Sequence, residues 1–187
     1  MDLFRNYVNQ IVQLSDLEWA DYKACLKQVE IIKKNNLLEV GQNCDFVAFI
    51  LDGAFRFYNL VDGEENEIGF FFTNDFVSNY RSFLTNTPSE HYIQALKNST
   101  VLIFSKKDLN MLYEKHKNME RLGRIIAENL FLEVVRRLDS FQYATPEERY
   151  QALVNRNSKL LQEIPQYMLA SYLGIKPETL SRIRGRK

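Results

Sequence analysis

Apolar positions along this 187-residue chain follow three successive rhythms. At the N-terminus Leu3, Tyr7, Val8, Ile11, Val12 and Leu14 recur at helical spacing, which predicts a helix with one buried stripe. Ser15-Asp-Leu-Glu18 then has the form of a capping box and predicts a second helix through Val29. From Glu30 to Ser105 the rhythm shortens. Candidate strands are Glu30–Lys34, Leu37–Val40, Val47–Asn59, Glu65–Phe72, Tyr92–Ala95 and Thr100–Ser105, divided by Asn35-Asn36, Gly41, Asp52-Gly53 and Asp62-Gly63. Asp62-Gly63 is a strong hairpin signal, because a tight two-residue turn demands positive φ and Gly adopts it without steric cost. Many short strands at this spacing predict a β-roll or barrel-like sandwich.

After Ser105 the period is helical again. Lys106–His116 predicts a short helix and Asn118–Gln142 a long one. Leu122, Ile125, Ile126, Leu130, Phe131, Val134, Val135, Leu138 and Phe141 cover more than one stripe of the long helix. A helix that is apolar on two sides needs two partners. The roll is one. The other is a second copy of the helix in a homodimer, or the interior of a single monomer. Thr145-Pro146-Glu-Glu148 opens a further helix to Asn155, with Thr145 as cap and Pro146 at the first helical position. A turn is expected at Arg156–Lys159, and Leu160–Glu163 leads into Pro165.

Composition narrows the class. Apolar residues make up 45% of the chain, with 13 Phe and 10 Tyr, so a globular core is expected. Net charge is zero, but residues 147–187 hold eight Lys/Arg against four Asp/Glu, and residues 1–146 hold 16 against 20. A basic end on an acidic body hints at a nucleic-acid-facing terminus. Cys25 and Cys44 lack Cys-x-x-Cys spacing and are expected to be reduced thiols. Met1–Leu14 mixes polar and apolar residues unlike a signal peptide, and the apolar runs fall far short of the ~20 residues a membrane span needs. A soluble cytoplasmic protein without membrane contact is expected.

The most specific segment begins at Pro165. Counted from Gln166, Ala170 is fifth, where a small side chain lets two helices cross closely. Gly174 is ninth, at a turn that wants positive φ. Leu180 and Ile183, fifteenth and eighteenth, face the inner Leu169 and Leu173, and Pro177 opens the second helix where no amide donor is needed. This small–Gly–apolar spacing predicts a DNA-binding helix-turn-helix over Gln166–Arg184. Its outward face would carry Lys176, Glu178, Thr179, Ser181, Arg182, Arg186 and Lys187. Arg can grip guanine O6 and N7, Glu can accept from cytosine N4, and Ser or Thr can reach a base or phosphate.

The order of these parts resembles the Crp/Fnr family of bacterial transcription regulators over nearly the whole chain. Gly41 in Glu39-Val-Gly-Gln, Phe49-Ile-Leu-Asp-Gly53 and Asn74-Asp-Phe76 match the family's landmarks in the roll, and Glu178-Thr-Leu-Ser-Arg182 matches the Glu-x-x-Ser-Arg pattern of its Fnr-like branch. The resemblance implies an α+β fold: N-terminal helices, a cyclic-nucleotide-binding-like β-roll (a double-stranded β-helix), a long dimerisation helix and a C-terminal helix-turn-helix. It implies domains at 1–117 (sensor), 118–142 (dimerisation) and 143–187 (DNA binding). It also implies a homodimer reading a palindrome in double-stranded DNA, with RNA polymerase as a partner.

Two departures qualify it. Cyclic-AMP-binding members hold the ribose with a Gly-Glu pair and the phosphate with an Arg-Ser pair. Aligned on Asp75-Phe76, this chain offers Ser78-Asn79 and Ser89-Glu90, with Arg81 expected on a surface-facing helix. Glu90 would repel the phosphate, so the roll is expected not to bind cAMP. The effector is then another small molecule or none, and Phe70, Phe71, Phe72, Tyr80 and Phe83 are candidates to fill the cavity. The oxygen-sensing branch's N-terminal Cys cluster has no counterpart. The second departure is the wing hairpin, which would follow the recognition helix; Gly185-Arg-Lys187 is expected to touch phosphates instead. An enzyme is not expected: only His91 and His116 occur, without His-x-His, and no nucleophile-elbow, P-loop or dinucleotide motif is present. No metal or cofactor is therefore expected. The rival reading is a sensing or protein-interaction module of the same fold that has lost DNA binding.

Overall fold

The computed structural model describes residues 2–156 and 158–185. The chain runs through α1 (Asp2–Ile11), α2 (Asp16–Ala24), β1 (Lys27–Ile31), β2 (Asn36–Leu38), β3 (Phe46–Asp52), β4 (Ala54–Val61), β5 (Glu64–Phe72), β6 (Phe76–Val77), α3 (Tyr80–Thr85), β7 (Tyr92–Ala95) and β8 (Ser99–Ser105). Helices follow: α4 (Lys106–Lys115), α5 (Lys117–Tyr143), α6 (Pro146–Arg156), α7 (Ser158–Glu163), α8 (Gln166–Leu173) and α9 (Pro177–Gly185). Two four-stranded sheets, ordered β1-β8-β3-β6 and β2-β7-β4-β5, form the double roll.

Both expected helix caps exist. Ser15 Oγ accepts from the Glu18 amide while the Glu18 carboxylate accepts from the Ser15 amide at 2.8 Å, which completes the capping box. Thr145 and Glu148 make the same exchange at α6, where the Thr145 amide donates to Glu148 at 2.7 Å. At the hairpin, Asp62 and Gly63 have φ of 52° and 82°, the two consecutive positive values of a mirror-image turn.

Several boundaries move. The second helix stops at Ala24 rather than Val29, because Lys27–Ile31 alternates and pairs antiparallel with β8. The expected strand Val47–Asn59 is two strands broken at Gly53, whose φ is +144° and whose missing Cβ would collide with Ser99 Oγ. The turn expected at Arg156–Lys159 is shorter: α6 includes Arg156 and α7 begins at Ser158. β6 was not expected, since two residues are too short to show a period, whereas α3 is the helix expected to carry Arg81 on its surface.

The chain divides into two compact units, Met1–Phe57 with Phe70–Asn129 and Tyr58–Gly69 with Leu130–Lys187. Strand alternation gives the first unit two cores. Leu38, Ala48, Ile50, Phe55, Val77, Ile93 and Val101 come from both sheets and close the roll interior. Phe49, Leu102 and Phe104 face the other way, against Phe4, Trp19, Tyr22, Leu109, Leu112, Met119 and Leu122 of the helices. Phe4 is the hub, with ring centroids 4.6 Å from Phe49 and 5.6–5.8 Å from Tyr22, Trp19 and Phe104. Among the aromatics expected to fill the roll, Phe71 packs on the interior core, but Tyr80 and Phe83 belong to the helical layer outside it. Being on α3 rather than on a strand, they follow the helix to the outer face.

Candidate nucleic-acid interface and effector cassette

In the second unit, α8 and α9 form the helix-turn-helix around Met168, Leu169, Ala170, Leu173, Leu180 and Ile183, all buried. Ala170 has no exposed surface, as its place at the helix crossing requires. Gly174 caps α8 in the left-handed region (φ 66°, ψ 37°), and the Ile175 amide donates to the Ala170 carbonyl at 3.0 Å. Pro177 is the first residue of α9. With Leu180 and Ile183 turned inward, Lys176, Glu178, Ser181 and Arg182 are exposed, and Thr179 is half-buried. Arg186 and Lys187 lie outside the described residues. Arg184, not singled out in the sequence, is also exposed on α9, on a different side of the helix from Arg182.

Sequence reading also missed what holds the helix-turn-helix to the end of α5. The Arg137 guanidinium lies 4.0 Å from the Tyr172 ring centroid and 5.1 Å from that of Phe141. Arg149 also lies over the Phe141 ring, at 5.2 Å, and donates to the carbonyls of Leu173 (3.0 Å) and Ala144 (2.7 Å). A Cβ at Gly174 would come within 2.7 Å of Phe141 Cε1, so Gly174 is needed for space as well as for φ. Burial pulls the Arg137 pKa down, opposed by Tyr172. The signal was present: Arg137 and Phe141 are four apart, on one helix face.

The five cassette positions come to one corner of the first unit, but their polar groups bind each other. Asn79 Nδ2 donates to Ser89 Oγ at 2.7 Å, and Asn79 Oδ1 caps α3 by accepting from the Ser82 amide at 3.2 Å. Ser89 Oγ donates to the His91 carbonyl at 2.7 Å, and Ser78 Oγ donates to the Phe46 carbonyl at 2.9 Å. Asn79 and Ser89 are buried. Arg81 is on the surface of α3, paired with Glu90 at 3.1 Å, both mostly exposed. Next to the cassette, His91 stacks on Phe57 at 4.7 Å, and burial lowers its pKa.

Residues 29–116 match the sequence family of the cyclic nucleotide-binding domain. No curated protein matches the chain. Among solved structures, FixK2 from Bradyrhizobium japonicum superposes with a TM-score of 0.74 at 16% identity, covering 86% of this chain and 83% of its own. A CooA mutant from Carboxydothermus hydrogenoformans gives 0.72 at 14% identity, covering 94% and 86%. The c-di-GMP responsive global regulator CLP of Xanthomonas campestris gives 0.66 at 14%, covering 92% and 91%. This chain has the Crp/Fnr fold. Within the Crp/Fnr architecture, the roll, the long helix α5 and the helix-turn-helix occupy their expected order along the chain. Among the described residues no group of three or more His, Cys, Asp or Glu is placed to hold a metal ion, and no helix is long and apolar enough to cross a membrane.

Proposed function

We propose that the protein is a sequence-specific DNA-binding transcription regulator that acts as a homodimer on a palindromic site. The observation that carries this reading is α9. Leu180 and Ile183 fix it on the buried core of the helix-turn-helix, and Glu178, Ser181 and Arg182 are left in solvent on the opposite face. That is the disposition required of a helix that enters a major groove. Support for the dimer comes from α5, where Phe131, Val134 and Leu138 are 65%, 57% and 62% exposed at 3-4 spacing. Apolar residues so spaced form the seam of a paired helix. The functional division stays at 1–117 for sensing, 118–142 for dimerisation and 143–187 for DNA binding.

The roll is proposed not to take cyclic AMP. Asn79 and Ser89 are engaged with one another, and the cassette's one cation, Arg81, faces Glu90. A buried phosphate there would lack a counter-charge.

Selection of bound duplexes from a random pool, using the full chain, tests the reading. The expected product is an inverted repeat with half-sites about 34 Å apart. Recovery of unenriched sequence at every salt concentration would instead favour the module that senses without reading DNA.

A further inference from the structure

The first unit contains a cavity of about 340 Å³ that is separate from the roll interior. Its walls include Tyr22 of α2, Phe104 of β8, Tyr80 and Phe83 of α3, Tyr113 of α4 and Leu122 of α5. These residues belong to the helical layer behind the first sheet. The cyclic-nucleotide cassette uses Asn79 and Ser89 and lines none of it. The volume lies at the lower end of the roughly 300–1,000 Å³ of small-molecule sites, and a predominantly apolar lining that includes several aromatic rings and a small number of polar groups is the composition such sites share.

Two polar groups in this wall stand out. Tyr22 is 2% exposed, and among the described residues no hydrogen bond engages its hydroxyl or that of Tyr113. The Tyr113 hydroxyl is seated over Gly123, where a Cβ would come within 2.5 Å of it. With no protein acceptor engaged, each hydroxyl is free to donate to a molecule that enters the cavity. Burial raises both hydroxyls, Tyr113 to about 12, so both are protonated donors at neutral pH. The two cations at the rim are already matched. Lys106 donates to the carbonyl of Phe83 and to Asn86 Oδ1, and Arg124 pairs with Glu128. Glu120 also lines the cavity and disfavours an anion.

We propose that this cavity binds a small, uncharged, planar aromatic molecule of about two fused rings carrying one hydrogen-bond acceptor, which takes its hydrogen bond from the hydroxyl of Tyr22 or Tyr113. The rings of Phe83 and Phe104 supply the apolar faces. Because Leu122, Gly123 and Ala127 of α5 form one wall, occupancy bears directly on the helix proposed to dimerise.

Quinoline and naphthalene, equal in size and differing in one acceptor nitrogen, are the probes. Binding to the full-length protein is read by calorimetry and by the fluorescence of Trp19, the chain's one tryptophan, whose ring lies 6.1 Å from that of Tyr22. Quinoline is expected to saturate with a dissociation constant on the order of 0.1–1 mM. It should bind roughly three- to tenfold more tightly than naphthalene, the gain of one hydrogen bond. The double variant Tyr22→Phe, Tyr113→Phe keeps both rings and should erase that preference. Ala127→Phe should weaken both probes by narrowing the cavity. If Ala127→Phe fails to fold, the tyrosine pair decides alone. Absence of saturable binding, equal affinity for the two probes, a preference that survives loss of both hydroxyls, or unchanged binding to folded Ala127→Phe would each overturn the proposal.

Discussion

The guanidinium of Arg137 lies over the ring of Tyr172, 4.0 Å from its centroid, and donates to the carbonyl of the same residue at 3.2 Å. One side chain thus grips the C-terminal end of α8 by both its ring and its backbone. The Tyr172 carbonyl is among the last of α8, which have no intrahelical donor. Arg149 does the same for Leu173. The orientation of the helix-turn-helix on the end of α5 is therefore set by two arginines around Phe141 and not by apolar packing alone.

Arg137→Ala should destabilise the protein by about 1–3 kcal/mol, the sum expected for a half-desolvated cation–π contact and a charged hydrogen bond. Arg137→Lys keeps the charge but not the planar stack, and should recover only part of the loss. Urea unfolding of the two variants measures this. Equal stability of Arg137→Ala and wild type would mean that the stacking contributes nothing.

Stability should fall as the solution is acidified. Glu18 is held below the usual carboxylate range chiefly by the Ser15 amide, Glu148 by the Thr145 amide, and Asp21 by Lys115 and then His116. A depressed folded value contributes stability that is present above the unfolded value and lost as pH drops through the folded one. His91, lowered by burial, acts in the same direction: below about pH 6.5 the unfolded chain takes up its proton more readily. Urea midpoints should decline from pH 7 to pH 3, and Glu18→Gln should flatten the decline below about pH 5. A midpoint constant over that range contradicts the assignment.

Much of the fold could be read from the chain because its signals are local. The caps at Ser15 and Thr145, the Asp62-Gly63 turn and the Ala170–Gly174–Leu180 spacing each depend on residues within a few positions of one another. The α9 face could be read because Leu180 and Ile183 fix which side is buried. What could not be read depends on distant partners. Lys27–Ile31 becomes a strand because β8, whose partner residues run from Ser99 to Ile103, pairs with it from far along the chain. Asn79 and Ser89 look like an open cassette in the sequence but close on each other across a turn. The clamp of Arg137 on Tyr172 joins residues 35 apart, and no periodicity announces such a pair.

Calorimetry with cyclic AMP is expected to show no binding at micromolar concentrations. The Arg81–Glu90 pair is exposed, so breaking it should cost little. Glu90→Ala therefore serves as a stringent test. It releases Arg81 and removes the repelling carboxylate, and it should still leave the roll without affinity, because Asn79 and Ser89 remain engaged. Micromolar binding by the wild type would refute the reading of the cassette.

Leu130→Glu and Val134→Glu should each convert the dimer to a monomer. Both residues are on α5 and partly or largely solvent-exposed in the single chain, at 38% and 57%. A carboxylate at a paired seam must be buried beside its own copy, which is strongly unfavourable. Sedimentation at micromolar concentration distinguishes the states, and a monomeric wild type would end the dimer proposal.

Glu178 and Arg182 are one helical turn apart and both exposed, so a single groove brings them to neighbouring base pairs. Arg182→Ala should cost roughly 1–3 kcal/mol on the selected site and blur the preference at one position of each half-site. The basic end of the chain should behave differently. Removing Arg186 and Lys187 should weaken binding to all sequences alike and flatten the salt dependence by up to about 0.9 in slope for each phosphate left without its cation. Arg184 supplies the internal comparison: exposed on the same helix but two residues past Arg182, it points about 200° around the axis from it. Arg184→Ala should therefore follow the salt-dependent pattern and leave the selected motif intact. If Arg182→Ala instead weakened every duplex equally and returned the same motif on reselection, α9 would hold phosphates and not read bases.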